Sequence, residues 1–330
     1  MGIVNILLLI VGFFLLIKGA DYFVDGASAI AKIFNVPTLI IGMTIVAIGT
    51  SLPETAVSIT ASVLGSNEMA ISNAIGSNTF NLLVVIGASA LITTVKVQHQ
   101  TVKFDIPISI GCALLVAFMA MIYYFTTNDL QLGRIAGVIL IALFVAYIGY
   151  MIYMAKHPLA GDDPVEEEEE EIRSLPLGMA VIFIIAGAVA IGIGGDLVVD
   201  NAEIIAKFFG MSDTLIGLTI VALGTSLPEL ATSISSARKG MVDMALGNAV
   251  GSNICNILMV VGIAATASPI DLTFYNACDI LILVGMSVLV LVFGLTKKRI
   301  SRPEGIVMIL VYAFYLAYVI MREMHLWVYA

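Results

Sequence analysis

The chain has 330 residues, 60% of them apolar and 12% charged, with a net charge of −9 and a mean hydropathy of +1.06. So little polar surface cannot keep a globule of this length in water, which excludes a soluble domain and makes the bilayer the solvent.

In chain order, apolar stretches cover residues 3–24, 38–64, 69–95, 106–126 and 132–154, then 176–205, 213–238, 243–267, 277–296 and 304–325. Each can cross ~30 Å of hydrocarbon as a helix, which predicts an all-α polytopic protein with ten transmembrane helices. The runs are continuous and do not alternate, which excludes a membrane-spanning sheet barrel. The first stretch has no basic residue before Lys18, so it reads as a membrane helix and not as a cleaved signal. Cys112, Cys255 and Cys278 fall in or beside apolar runs without paired spacing and read as small buried hydrophobes.

The basic residues set the expected orientation. With both termini outside, Lys32, Lys96, Lys103, Lys156, Arg173, Arg238, Lys239, Lys297, Lys298, Arg299 and Arg302 lie on the cytoplasmic side. Arg134, Lys207 and Arg322 lie opposite, which satisfies the positive-inside rule. One hydrophilic segment, 156–174, holds the run Glu166 to Glu171 and divides the chain into units at 1–155 and 175–330. It reads as an acidic cytoplasmic linker, with a weak cation sensor as the alternative.

Residues 42–87 match 217–262 at a constant offset of 175, without a gap and with 26 of 46 positions identical. Thr44 to Glu54 (TIVAIGTSLPE) pairs with Thr219 to Glu229 (TIVALGTSLPE), and NAIGSNTFN (73–81) pairs with NAVGSNICN (248–256). Asp21 and Asp25 pair with Asp196 and Asp200 at the same offset. Each unit holds five spans, an odd number, so the second copy enters the membrane from the opposite side. Two inverted five-helix repeats are therefore expected, with a substrate site near the midplane between them.

Pro53 and Pro228 lie inside apolar spans, four residues after Gly49 and Gly224. Proline has no amide hydrogen, so those two glycine carbonyls lose their helical partners, and a dehydrated cation is one group that can replace them. Glu54 and Glu229 follow directly, and an ionised carboxylate in mid-membrane is costly unless paired or wet. Helical spacing puts Thr50 and Ser51 on the face of Glu54, and Thr225 and Ser226 on that of Glu229. In the next span Asn73, Ser77 and Asn81 recur every four residues, as do Asn248, Ser252 and Asn256. The outer members Asn73 and Asn248 also suit interhelical hydrogen bonding. Two carboxylates among hydroxyl, amide and carbonyl oxygens suit hard cations such as calcium and sodium and not zinc or copper. One divalent or two monovalent cations neutralise the pair, and such competition for one place is the physical basis of exchange.

At these residues the chain resembles the calcium/cation antiporter superfamily, and within it the sodium/calcium exchangers, whose repeats carry G-T-S-x-P-E and G-S-N motifs. The resemblance implies ten helices, external termini in a multi-pass cell-membrane protein, and alternating access to a central site. It implies calcium at Glu54 and Glu229. For sodium it implies Thr50, Ser51, Ser77, Thr225, Ser226 and Ser252, with the carbonyls of Ala47 and Ala222. Asn81 and Asn256 are neutral where potassium-dependent members carry an acid, which leans away from potassium co-transport. The G-N region lacks the acid typical of calcium/proton members, so a calcium/proton or other cation antiporter of the same fold is the alternative. The partners implied are calcium and sodium ions and membrane lipid, with no nucleic acid, no cofactor and no obligate protein partner.

Two readings from other classes fit less well. An intramembrane aspartyl protease would need a GxGD motif, which Ile193 breaks ahead of Asp196. The two aspartate pairs are instead expected near the membrane surface, at the ends of the first helix of each unit. A passive channel places its filter on an axis among subunits, whereas this chain supplies both halves of the constellation itself.

Overall fold

The computed structural model describes residues 3–65, 67–157, 175–210 and 222–328. In order these form α1 (Ile3–Phe34), the bent pair α2 (Thr38–Thr50) and α3 (Leu52–Val63), then α4 (Glu68–Ile92), α5 (Thr101–Thr127) and α6 (Arg134–Lys156). The second unit follows with α7 (Leu177–Phe208), a turn at Ala222–Gly224, α8 (Leu227–Arg238), α9 (Val242–Ala267), α10 (Phe274–Lys297) and α11 (Arg302–Val328). Among the described residues the regular structure is all-helical apart from two-residue strands. Among the described residues eight helices are long and apolar enough to cross a membrane, or nine if the bent pair α2–α3 is one span. The expected linker beyond residue 157 lies outside the described residues, as does the start of the seventh expected span, including Thr219.

Helices α1 and α7, of 32 residues each, are about 48 Å long at 1.5 Å per residue. They cross antiparallel through glycines: Gly12 meets Gly194, Gly19 meets Gly187, and Gly26 meets Ala180. A Cβ on Gly187 would stand 2.6 Å from the backbone nitrogen of Phe23, so only glycine permits this approach. α1 runs ten residues beyond the expected end of the first span at residue 24. Asp21 and Asp25 therefore lie within a continuous helix and not at its end, which corrects the sequence expectation. Asp196 and Asp200 likewise lie inside α7 and not at its end, because the backbone hydrogen bonds of a helix persist past an acidic side chain. Ser235 donates to the Asp21 carboxylate and Lys239 to that of Asp25, so both acids of α1 are satisfied where it passes α8.

Helices α4 and α9 form the centre. Of their most apolar stretches, 72% and 83% is buried, against 17–39% for the other membrane-length helices. α2 packs on α9 backbone to backbone, since a Cβ on Gly247 would lie 2.5 Å from the carbonyl oxygen of Leu39. Outer faces carry Phe14, Phe118, Phe125, Ile135, Ile185 and Phe314, large exposed apolar side chains as a lipid-facing surface requires.

The short strands pair between the units. β1 (Val95–Lys96) runs antiparallel to β4 (Arg299–Ile300), and β2 (Gln131–Leu132) to β3 (Ile270–Asp271). These pairings bring the segment between α4 and α5 beside that between α10 and α11, and the segment between α5 and α6 beside that between α9 and α10.

Candidate functional site

The two helix breaks share one local chemistry. Pro53 and Pro228 occupy the second positions of α3 and α8, where a helix needs no amide hydrogen, and they leave the Gly49 and Gly224 carbonyls without i+4 donors. Ser51 and Ser226 bend the chain with φ/ψ of −81°/7° and −93°/4°, and α2 and α3 meet at 44°. Glu54 and Glu229 each stand in the first turn of the new helix, where the N-terminal dipole favours a carboxylate.

The breaks exchange contacts. Ser51 Oγ donates to Glu229 Oε1 at 3.4 Å, and Ser226 Oγ donates to Glu54 Oε1 at 3.4 Å. Both carboxylates are fully buried. Ser226 Oγ also lies 3.0 Å from Ser77 Oγ, within hydrogen-bond distance, which ties α4 to the second break. On the other side Thr50 Oγ1 lies 3.4 Å from Ser252 Oγ and donates to Asn248 Oδ1 at 3.1 Å, while Ser252 Oγ reaches the Ala47 carbonyl at 3.5 Å. Thr225 Oγ1 donates to Asn73 Oδ1 at 3.4 Å. Ala222 opens the turn Ala222–Gly224, at the edge of the described residues.

The stripes on α4 and α9 divide by role. Asn248 donates to the Glu229 carbonyl and to the Thr232 and Ser233 hydroxyls, and Asn73 donates to Ser58, so the outer asparagines hold helices together. Asn81 and Asn256 each begin a π-helical turn, Asn81–Val85 and Asn256–Val261, a distortion frequent at functional sites. Asn256 Nδ2 donates to Asn78 Oδ1 at 3.1 Å. Glu54 Oε2, Glu229 Oε2, both polar atoms of Asn81 and Asn256 Oδ1 are buried without a protein hydrogen-bond partner. Such orphaned atoms are costly in a low dielectric unless a ligand or water meets them.

Asn78 and Asn253 fall off the four-residue stripes, and the sequence reading passed over them. Asn78 Nδ2 donates to the Asn253 carbonyl at 3.1 Å, and Asn253 Nδ2 to that of Asn78 at 3.2 Å. Their identity between the two copies, within the shared Gly-Ser-Asn at 76–78 and 251–253, was the available signal.

A cavity of about 510 Å³ reaches the breaks from one side, lined by Gly49, Thr50, Pro53, Gly224, Thr225 and Pro228 and, further along α7, by Asp196 and Asp200. Among the described residues no group of three or more His, Cys, Asp or Glu converges, so the centre is two carboxylates among neutral oxygens. This is a hard-donor set.

Residues 4–153 and 179–321 match the family described as sodium/calcium exchanger protein. The chain is 37% identical over 306 residues to the inner membrane protein YrbG of Escherichia coli K12, covering 90% of each. It is 31% identical over an alignment of 350 positions to the sodium/calcium exchanger MaX1 of Methanosarcina acetivorans, covering 95% of this chain and 97% of that one. Solved structures of the sodium-calcium exchanger NCX_Mj match with a TM-score of 0.81 at 32% identity, covering 96% of this chain and 99% of theirs. A multi-span helical chain built around a buried pair of carboxylates, similar over nearly its whole length to these proteins, belongs to the sodium/calcium exchanger family of the calcium/cation antiporters and is a transporter, not an enzyme.

Proposed function

We propose that this protein is a secondary active antiporter of the cell membrane that exchanges calcium for sodium by alternating access at a central all-oxygen site. The observation that carries the reading is the reciprocal pair Ser51–Glu229 and Ser226–Glu54, which brings both carboxylates into one buried cage. The orphaned oxygens Glu54 Oε2, Glu229 Oε2 and Asn256 Oδ1 are in keeping with cation ligands, as is Asn81 Oδ1.

In this reading Glu54 and Glu229 neutralise one calcium ion. Sodium is held by Thr50, Ser51, Ser77, Thr225, Ser226 and Ser252, with the carbonyls of Ala47 and Ala222 released around the breaks at Gly49, Pro53, Gly224 and Pro228. The two loads cannot coexist, because each uses the same negative charge. If only loaded carriers reorient, one ion must leave before the other crosses. The frame is ten spans in two inverted repeats, 1–155 and 175–330, joined by an acidic cytoplasmic linker at 156–174, with both termini outside. Antiparallel α1 and α7 support the inversion, as do the strand pairs β1–β4 and β2–β3, which tie loops expected on the same membrane side.

The test is radioactive calcium uptake into vesicles containing the purified protein, with the opposing gradient set in turn to sodium, potassium and protons. Uptake driven by internal sodium alone is expected. Uptake driven by protons and not by sodium makes the protein a calcium/proton exchanger, and calcium entry without any counter-ion makes it a channel.

A further inference from the structure

Asp21 and Asp25 on α1 recur as Asp196 and Asp200 on α7 at the repeat offset, yet the two pairs have different surroundings. Lys239, just beyond the end of α8, donates from Nζ to Asp25 Oδ1 at 2.6 Å and to the Asp21 carbonyl at 2.7 Å. Ser235 Oγ donates to Asp21 Oδ1 at 2.7 Å, and Lys18 Nζ lies 3.8 Å from Asp21 Oδ2. The Lys239 and Asp25 side chains keep only 26% and 22% of their exposure, so water screens the pair incompletely. The repeat partner of Lys239 is Leu64, which is exposed and carries no charge. Asp196 and Asp200 line the cavity that reaches Thr50 and Thr225. One end of the pseudo-symmetric assembly is therefore tied by charge, while the other is open.

We propose that Lys239, acting with Asp25, Asp21 and Ser235, is a latch that seals the approach to the ion site between α1 and α8 and must release for the site to open on that side. The proposal rests on the alternating-access reading above. Opening there separates α1 from α8 and moves the ion pair into water, where a single pair contributes little. The latch thus favours the state in which the Asp196–Asp200 cavity is open, and only one of the two approaches carries such a lysine. A sequence repeat of this kind would otherwise give both access states similar closing contacts, so Lys239 biases which way the unloaded carrier faces.

The experiment reads the cavity directly. In full-length protein with Cys112, Cys255 and Cys278 replaced by Ala, Val57→Cys places one thiol on the cavity wall, and a membrane-impermeant maleimide reports its accessibility in reconstituted vesicles. Lys239→Leu and Asp25→Asn should each shift the balance of open and closed states by about fivefold and slow labelling by about twofold or more, the change expected from losing a partly buried ion pair. The charge swap Asp25→Lys with Lys239→Asp should recover part of the parental rate, the bond to the Asp21 carbonyl being lost, and Lys239→Arg should keep that rate. Unchanged labelling in both Lys239→Leu and Asp25→Asn, or a swap as slow as Lys239→Leu, overturns the latch. Labelling needs no transported ion, so loss of the calcium/sodium assignment in the vesicle assay would leave this result standing, and the two failures are distinguishable.

Discussion

Asn78 and Asn253 each donate a side-chain amide to the other's main-chain carbonyl, at 3.1 and 3.2 Å, where α4 and α9 cross in the interior. The paired bonds join the two helices that carry the Ser77/Asn81 and Ser252/Asn256 oxygens, so the clamp sets the spacing of the cage. Asn253→Ala removes one bond, while Asn78→Ala removes two, the one to the Asn253 carbonyl and the one accepted from Asn256; each leaves buried polar atoms less satisfied, a loss of about 1–2 kcal/mol. Thermal unfolding in detergent should show a lowered midpoint for each. The double variant should lose less than the sum of the two, because the pair acts as one unit.

Neutralising one carboxylate should stop calcium transport. Glu54→Gln and Glu229→Gln keep size and hydrogen bonding while removing one of the two charges that offset a dehydrated divalent ion. Sodium-driven calcium uptake in vesicles should fall to background for both, with size-exclusion profiles unchanged. Near-parental flux in either variant would remove that glutamate from the site.

The α1–α7 crossing should tolerate no side chain at its glycines. Gly187→Leu drives atoms into the Phe23 backbone, 2.6 Å from where a Cβ would sit, whereas a Cβ at Gly285 meets nothing within 4 Å. Gly187→Leu should lower the unfolding midpoint by roughly 3 °C or more. Gly285→Ala should leave it unchanged or slightly raised, since alanine is the better helix former.

Transport is expected to move net charge. In the proposed site the hydroxyl, amide and carbonyl oxygens around Glu54 and Glu229 would hold more sodium ions than two carboxylates neutralise. Asn81 and Asn256 add no third negative charge. The sodium-loaded carrier then bears excess positive charge, on which a membrane potential acts with about 2.3 kcal/mol per 100 mV across the full field. Sodium-driven calcium extrusion should accelerate when the interior is made negative with a potassium diffusion potential. Voltage-independent flux, with no current on a supported membrane, would instead indicate two sodium ions or two protons per calcium.

The sequence alone determined the class of scaffold and the family, because both are written in local features. Unbroken apolar runs announce membrane helices, a proline after a glycine announces a break, and the 175-residue offset announces that Glu54 and Glu229 are equivalents. What no local pattern encodes is which atoms meet across the two copies. The bonds from Ser51 to Glu229 and from Ser226 to Glu54 span 178 and 172 residues, and the exchange between Asn78 and Asn253 spans 175. Helical periodicity ranks faces within one span and says nothing about the partner span, so Asn78 was passed over in favour of the four-residue stripe beside it. The aspartates of α1 were misplaced for the same reason. Composition marks where an apolar run stops, whereas α1 runs on to Phe34 and its aspartates find Ser235 and Lys239 in the other unit.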